Sequence, residues 1–324
     1  MSNPIRYEDK PWLAHYDEGV PHAIDYEQVC LPEYFAQTVR DFPDRPALNF
    51  QGCRVNYRRL KDMVDRVATA LTGFGVVKGD RVAILLPNTV PCVAAYYAAL
   101  SIGAIVVMNN PLYSDKELDH QFNNSEAKVL FTLDLLANRM VSLRPRTKIR
   151  QIVYTSIGDY LPFPKSALFP LVARKKGLAA EVKPAQDLFR WKEILKKYRP
   201  NPPAVKLSFE DIAQFQYTGG TTGVSKGVML THGNLSRQIQ QIVAWFPTFK
   251  NNKGAEVMLG ALPFFHVFGL SCSMNLAVCS GWENVLVPRP QPEPLVEAFN
   301  KFRPTFAPLV PTMFIGLLGH PKIG

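Results

Sequence analysis

Eleven consecutive residues hold the densest concentration of chemistry in the chain: Tyr217-Thr-Gly-Gly-Thr-Thr-Gly-Val-Ser-Lys-Gly227. They include four glycines, three threonines and one lysine. Glycine lets backbone N–H groups approach an anion through conformations that other residues avoid. Threonine hydroxyls add donors and lysine adds a point charge, so the run suits a di- or triphosphate. Two common phosphate loops do not describe it. G-x-x-x-x-G-K-[ST] fails because Lys226 stands between Ser225 and Gly227, and G-x-G-x-x-G fails because the glycines are at 219, 220 and 223. Gly73, Gly75 and Gly79 come near the second spacing but follow a helix and precede a strand, which is the wrong context. A plain surface turn needs neither the threonines nor the lysine.

Such a loop needs rigid elements on both sides. Ile212 to Tyr217 reads as a strand before it, and Gly227 to Leu230 as a strand after it, followed by a helix from about His232 to Trp245. Upstream, Tyr57, Leu60, Val64, Val67 and Leu71 recur at helical spacing and stop at Gly73. Arg81 to Leu86 and Ala104 to Met108 are apolar strand candidates around a helix opened by Pro91 and running to about Ser101. Ser114-Asp-Lys-Glu117 is a capping-box sequence for a helix to about Asn123. Ala127 to Thr132 and Gln151 to Thr155 are further strands, Val257 to Leu262 another, and Glu293 to Phe302 a helix. Strand and helix alternating at this spacing predict a parallel sheet. Between Gly158 and Pro203 the rhythm stops and seven prolines punctuate a basic segment. The expected division is therefore an α/β subdomain at 1–157, a basic Pro-rich insertion or connector at 158–210, and a loop-bearing subdomain at 211–324.

The composition bounds what surrounds the loop. The 324 residues are 47% hydrophobic and 20% charged, an ordinary globular mixture that excludes disorder and collagen-like repeats. The net charge is +10, and residues 158–200 alone hold ten Lys/Arg against four acids. Cys30, Cys53, Cys92, Cys272 and Cys279 are odd in number and form no C-x-x-C pair, which speaks for reduced thiols in a cytoplasmic setting. Cys272 and Cys279, seven apart, would share a buried helix face. The polar, charged start from Met1 to Trp12 does not read as a secretory signal. Val93 to Met108 and Val257 to Ser280 carry no formal charge, but their length, glycines, Pro263 and His266 read as buried helix-plus-strand rather than membrane spans.

Other candidates are weaker. On spacing alone His266, among Phe264, Phe265, Val267 and Phe268, reads as a core histidine. No His/Asp/Glu cluster has metal-ligand spacing, and no G-x-S-x-G offers a nucleophile elbow. The basic segment lacks a nucleic-acid recognition signature. From Leu161 to Gly177, Phe163, Leu168, Phe169, Leu171 and Val172 alternate with Lys165, Arg174, Lys175 and Lys176. That pattern suits an anionic membrane surface as well as it suits a solvated connector. Prolines at 162, 164 and 170 would limit the segment to a short helix after Pro170 or an irregular loop.

The loop resembles the phosphate-loop signature of AMP-forming acyl-adenylate synthetases, Y-T-S-G-T-T-G-x-P-K-G, with Gly219 in place of Ser and Ser225 in place of Pro. The variant from Gln216 to Asn234 is most similar to bacterial long-chain fatty-acid–CoA ligases. Leu100 to Tyr113, Leu262-Pro-Phe-Phe-His266 and Val310-Pro-Thr312 resemble further motifs of that superfamily. The resemblance implies an α/β fold of two sheet-and-helix subdomains, matching the N-terminal part of an acyl-CoA synthetase and ending before the C-terminal lid. It implies activation of a fatty acid through acyl-AMP to acyl-CoA with ATP, Mg2+ and coenzyme A. An aryl or short-chain acid, or a non-catalytic nucleotide- or lipid-binding role, is the alternative. It assigns the phosphates to Thr218, Gly219, Gly220, Thr221, Thr222, Gly223 and Lys226, with Lys226 and Thr218 catalytic and Thr218 reaching the metal. Phe265, His266, Val310, Pro311 and Thr312 would line the acyl side. The superfamily's magnesium-binding Glu, ribose acid and lid Lys would follow Gly324, so residues 1–324 alone are expected to make no measurable acyl-AMP.

Overall fold

A computed structural model describes residues 6–173, 177–219, 224–251 and 253–322. The chain begins its regular structure with α1 (Leu31–Asp41), the hairpin β1 (Pro46–Phe50) and β2 (Cys53–Asn56), and α2 (Tyr57–Gly73). α2 forms because Asn56 caps it, its side chain accepting from the Arg59 N–H at 2.9 Å. The stripe Leu60, Val64, Val67 and Leu71 then faces inward. Next come β3 (Arg81–Leu85), α3 (Val90–Ser101), β4 (Ile105–Met108), α4 (Asp115–Ser125), β5 (Val129–Leu133), α5 (Asp134–Leu143) and β6 (Gln151–Thr155). The capping box at Ser114 is present, with Glu117 accepting from both the Ser114 N–H and hydroxyl. α6 (Lys165–Ala173), β7 (Leu188–Arg190) and α7 (Trp191–Lys197) follow, then β8 (Ile212–Thr218), β9 (Lys226–Thr231), α8 (His232–Trp245) and α9 (Pro247–Asn251). The last part holds β10 (Val257–Gly260), α10 (Val267–Gly269), a π-helical stretch (Leu270–Asn275), α11 (Leu276–Ser280), β11 (Glu283–Leu286), α12 (Pro292–Phe302) and α13 (Pro311–Leu318).

Two sheets result. The larger has the order β7-β6-β5-β3-β4-β8-β9 and is parallel except for β9, which is antiparallel to β8. The smaller has the order β10-β11-β1-β2, parallel except for β2. Helices α2 and α3 and the helical run from Leu270 to Ala277 pack between them. One continuous core therefore joins Leu48 and Leu286 of the small sheet to Ile84 and Val106 of the large one. α3 is apolar on every face, as a helix enclosed on all sides must be.

The bounds drawn at 157 and 210 do not follow the sheets. β1 and β2 belong with β10 and β11, whereas β8 and β9 complete the sheet of β3 to β7. The basic segment is also more than a connector. Its β7 extends the large sheet beside β6, and Trp191 is fully buried with its indole N–H on Tyr160 Oη at 2.8 Å. Its helix begins at Lys165 and runs through Pro170 instead of starting after it. The first turn forms because the Leu168 and Ala167 amides bond the Pro164 carbonyl. Cys272 and Cys279 are half-buried against different helices, one beside Gln238 and one beside Tyr97. The π-helical stretch that contains Cys272 breaks the simple seven-residue register. Among the described residues, no helix is long and apolar enough to cross a membrane.

Candidate functional site

β8 and β9 form a hairpin whose open end carries the glycine- and threonine-rich loop. Thr218, the last residue of β8, pairs directly with Lys226, the first of β9. Side chains at such opposed positions lie about 5 Å apart at Cβ. Both residues are exposed, as is Gly219. A hydroxyl and an ammonium thus stand side by side where the strands open. Gly220, Thr221, Thr222 and Gly223 lie outside the described residues. Gly227 packs closely on Tyr217: a Cβ there would come 3.2 Å from the ring, which would have to give by a few tenths of an ångström.

The hairpin is anchored from below by α4. His120 Nε2 donates to the Ser225 carbonyl at 3.0 Å, and the Gln121 amide reaches Ser225 Oγ at 3.4 Å. Tyr217 donates its hydroxyl to Asn124 Oδ1 at 2.6 Å. Burial pushes the Tyr217 phenol above its usual range, which keeps it a donor.

The segment Leu262–His266 is held by two buried amides. The Asn88 amide nitrogen donates to the Gly260 carbonyl at 2.9 Å and the Leu262 carbonyl at 2.8 Å, while its oxygen accepts from the Phe264 N–H at 2.9 Å. Gln216 donates to the Phe265 carbonyl at 2.9 Å. Gln216 is the terminus of a buried chain: Gln214 donates to Gln216, Tyr96 to Gln214, Asn275 to the Tyr96 hydroxyl, and Tyr97 to Asn275. Burial holds both tyrosines in the neutral form. Gly269 lets α10 close on this segment, because a Cβ there would lie 2.3 Å from the Pro263 carbonyl oxygen.

His266 itself is exposed at the N-terminus of α10, and Phe265 is half-buried. The core reading of His266 therefore does not hold. Phe264 fills the core instead. Thr305 bonds Val257 and Phe306 bonds Leu259 alongside β10, with Met258 and Phe306 in a parallel bridge. Leu262–His266 and Val310–Thr312 consequently leave the small sheet at the same end. Val310 caps α13, and Pro311 and Thr312 are exposed in its first turn. Thr312 lines a cleft of about 200 Å³ with Met313 and Gly316. Among the described residues, no hydrogen bond or ring contact joins His266 to Val310, Pro311 or Thr312. Thr218 at the end of β8 and Leu262–His266 after β10 lie at strand carboxyl ends, where open α/β sheets bind ligands.

Asn88, His120, Gln121, Gln214 and Asn275 were missed by sequence reasoning, and Gln216 was read only as the start of the loop signature. The only available signal was Gln214 and Gln216 alternating within the otherwise apolar strand Ile212–Thr218.

The family model for AMP-binding enzymes matches residues 35–324. The chain belongs to that family. It is 38% identical over 316 residues to a long-chain-fatty-acid–CoA ligase of Bacillus subtilis, covering 97% of this chain and 56% of that protein. It is 33% identical over 315 residues to one from Escherichia coli O157:H7, at 96% and 56% coverage. Among solved structures it is similar to a long-chain-fatty-acid–CoA ligase from Archaeoglobus fulgidus, with a TM-score of 0.76, 25% identity, and 94% and 56% coverage. An anthranilate CoA ligase in complex with anthranoyl-AMP shares the fold at a TM-score of 0.76 and 18% identity, at 93% and 53% coverage. The chain thus spans about half the length of the relatives it matches.

Proposed function

We propose that the chain supplies the phosphate loop and acyl-side wall of an enzyme that activates a long-chain fatty acid. The carboxylate attacks the α-phosphorus of ATP, giving acyl-AMP and pyrophosphate, and the thiolate of coenzyme A then displaces AMP. The observation that carries this reading is the Thr218–Lys226 pair at the open end of the hairpin, tied through Gln216 to the segment bearing His266. An anionic nucleophile must approach a polyanion, so donors and a cation are needed where pyrophosphate departs. Lys226, Thr218 and the amides of 219–223 take that role. Phe265, His266 and Val310–Thr312 border the acid. Thr218 fits magnesium as one hard oxygen ligand only. Among the described residues no group of three His, Cys, Asp or Glu could hold a metal, so Thr218 would be joined by phosphate oxygens, water and the acidic ligand that the family resemblance implies. When bound, the ion offsets phosphate charge.

We place the reaction in the cytoplasm, where the five unpaired thiols stay reduced, with an anionic membrane surface as a further partner. Calorimetric titration of the chain with ATP, then with palmitate, benzoate and acetate, tests the substrate class. ATP binding together with preference for palmitate supports the reading. Preference for benzoate or acetate moves it to an aryl or short-chain acid, and absence of ATP binding removes it.

A further inference from the structure

An open cleft of about 200 Å³ beside Thr312 belongs to the acyl side, but a larger one, about 470 Å³, shares no residue with it. Three distant stretches converge there: the β1–β2 turn, Pro162–Lys165, and the end of α12. The turn is tight, with Gln51 at φ 52° and Gly52 at φ 102°. Glycine suits position 52 because of that positive φ, and a Cβ there would stand 3.3 Å from the Lys301 ammonium.

The cleft is cationic. Arg54, Lys165 and Lys301 line it. Arg54 is partnered by Glu283 at 2.8 Å, and that carboxylate also accepts from Asn49 at 2.7 Å. Among the described residues, neither Lys165 nor Lys301 meets a carboxylate, and Lys301 rests only on the Phe302 ring at 5.2 Å. The rim is apolar. Phe163 is 85% exposed, and Leu168, one turn along α6 from Lys165, is 55% exposed. Two uncompensated ammonium groups beside an outward-facing aromatic and an outward-facing leucine match the boundary of an anionic bilayer. There, cations meet lipid phosphates and apolar side chains enter the acyl margin.

We propose that this face, formed by Phe163, Lys165, Leu168 and Lys301 around Gly52, seats the protein on an anionic lipid surface. The proposal rests on the membrane partner named above and deepens it, since two of the three converging stretches lie outside the basic insertion. A substrate that partitions into membranes gives such seating a use.

The test is sedimentation of the whole chain with vesicles of phosphatidylcholine, alone or enriched in phosphatidylglycerol, at low and high salt. No nucleotide is present, so the outcome is independent of adenylate chemistry. The wild-type chain should bind the anionic vesicles and be released by salt. Lys165→Glu with Lys301→Glu should weaken binding at least about 25-fold, because each cation lost is worth about fivefold. Phe163→Ser should weaken it about tenfold or more. Both variants alter exposed side chains, so thermal unfolding should not move. Equal binding to neutral vesicles, or unchanged binding by the double variant, overturns the proposal. So does retention on polyglutamate without vesicle binding, which would assign the face to an acidic protein.

Discussion

Thr218, Lys226 and His266 stand exposed, whereas Asn88, Gln214, Gln216 and Asn275, which hold the same segments in place, are each at most 5% exposed. Among the described residues, the donors and charge of the exposed set have no fixed side-chain partners. The buried set has its hydrogen bonds committed within the protein. Substitution in the first should therefore change chemistry and spare stability, and substitution in the second should do the reverse.

The largest effect should come from Lys226→Ala. In a full-length ligase carrying this chain, the adenylation rate should fall about 100- to 1000-fold, the usual loss for one electrostatic donor. Thermal unfolding should be unchanged. Normal pyrophosphate exchange, or a lowered unfolding temperature, would break the comparison from the exposed side.

Asn88→Ala should break it from the buried side. The change strands the carbonyls of Gly260 and Leu262 and the amide of Phe264. Unsatisfied buried groups cost about 1–3 kcal/mol each, with partial relief by rearrangement, so about 3 kcal/mol should be lost in denaturant unfolding. ATP affinity should stay near wild type.

A third prediction concerns pH. His232, at the start of α8, is 1% exposed, and among the described residues its Nδ1 has no partner. Burial pushes its imidazole down to about 4, against a smaller opposing pull from Asp211. The folded state thus favours the neutral ring. Its contribution is fully present above the unfolded value of about 6.5 and is lost as pH falls towards 4, reaching on the order of 3 kcal/mol. Denaturant unfolding across this window should show the loss, and His232→Gln should flatten it. An equally steep profile in the variant would assign the acid sensitivity elsewhere.

The smallest effect belongs to Gly269→Ala. The added methyl would meet the carbonyl oxygens of Pro263 at 2.3 Å and Leu262 at 2.7 Å. Backbone must shift, at about 1–3 kcal/mol. His266 would move with it, so palmitate affinity should drop while ATP affinity holds. Loss of both would show that the two sides of the hairpin are less separate than the buried network implies.

The same contrast explains what was legible in the sequence. The glycine- and threonine-rich loop stands out in the sequence because glycine, threonine and lysine at that spacing have few other uses, and phosphate binding there is what we propose. Helices α2 and α4 are legible because Asn56 and Ser114 cap regular patterns. The assignment of β1 and β2 to the small sheet was not legible, because the hairpin joins that sheet through β11, more than two hundred residues after β1, and strand pairing leaves no local mark. α7 was missed for a related reason: the prolines around it signal a loop, while tertiary burial of Trp191 decides otherwise. Asn88 reads as a turn residue, and only the positions of three backbone groups from residues 260–264 reveal it as a clamp. His266 was misread on spacing, because a run of phenylalanines does not say which of its members faces inward.

The pairing of β1 with β11 has a consequence for biosynthesis. Leu48 lies opposite Asn284. At a synthesis rate of about 5–20 residues per second, the hairpin leaves the ribosome roughly 10–50 s before the strand that completes its sheet. During that interval Phe50 and Val55, both fully buried in the finished protein, have no small sheet to enter. The nascent chain must keep one strand edge from pairing with the wrong neighbour until β11 (Glu283–Leu286) arrives.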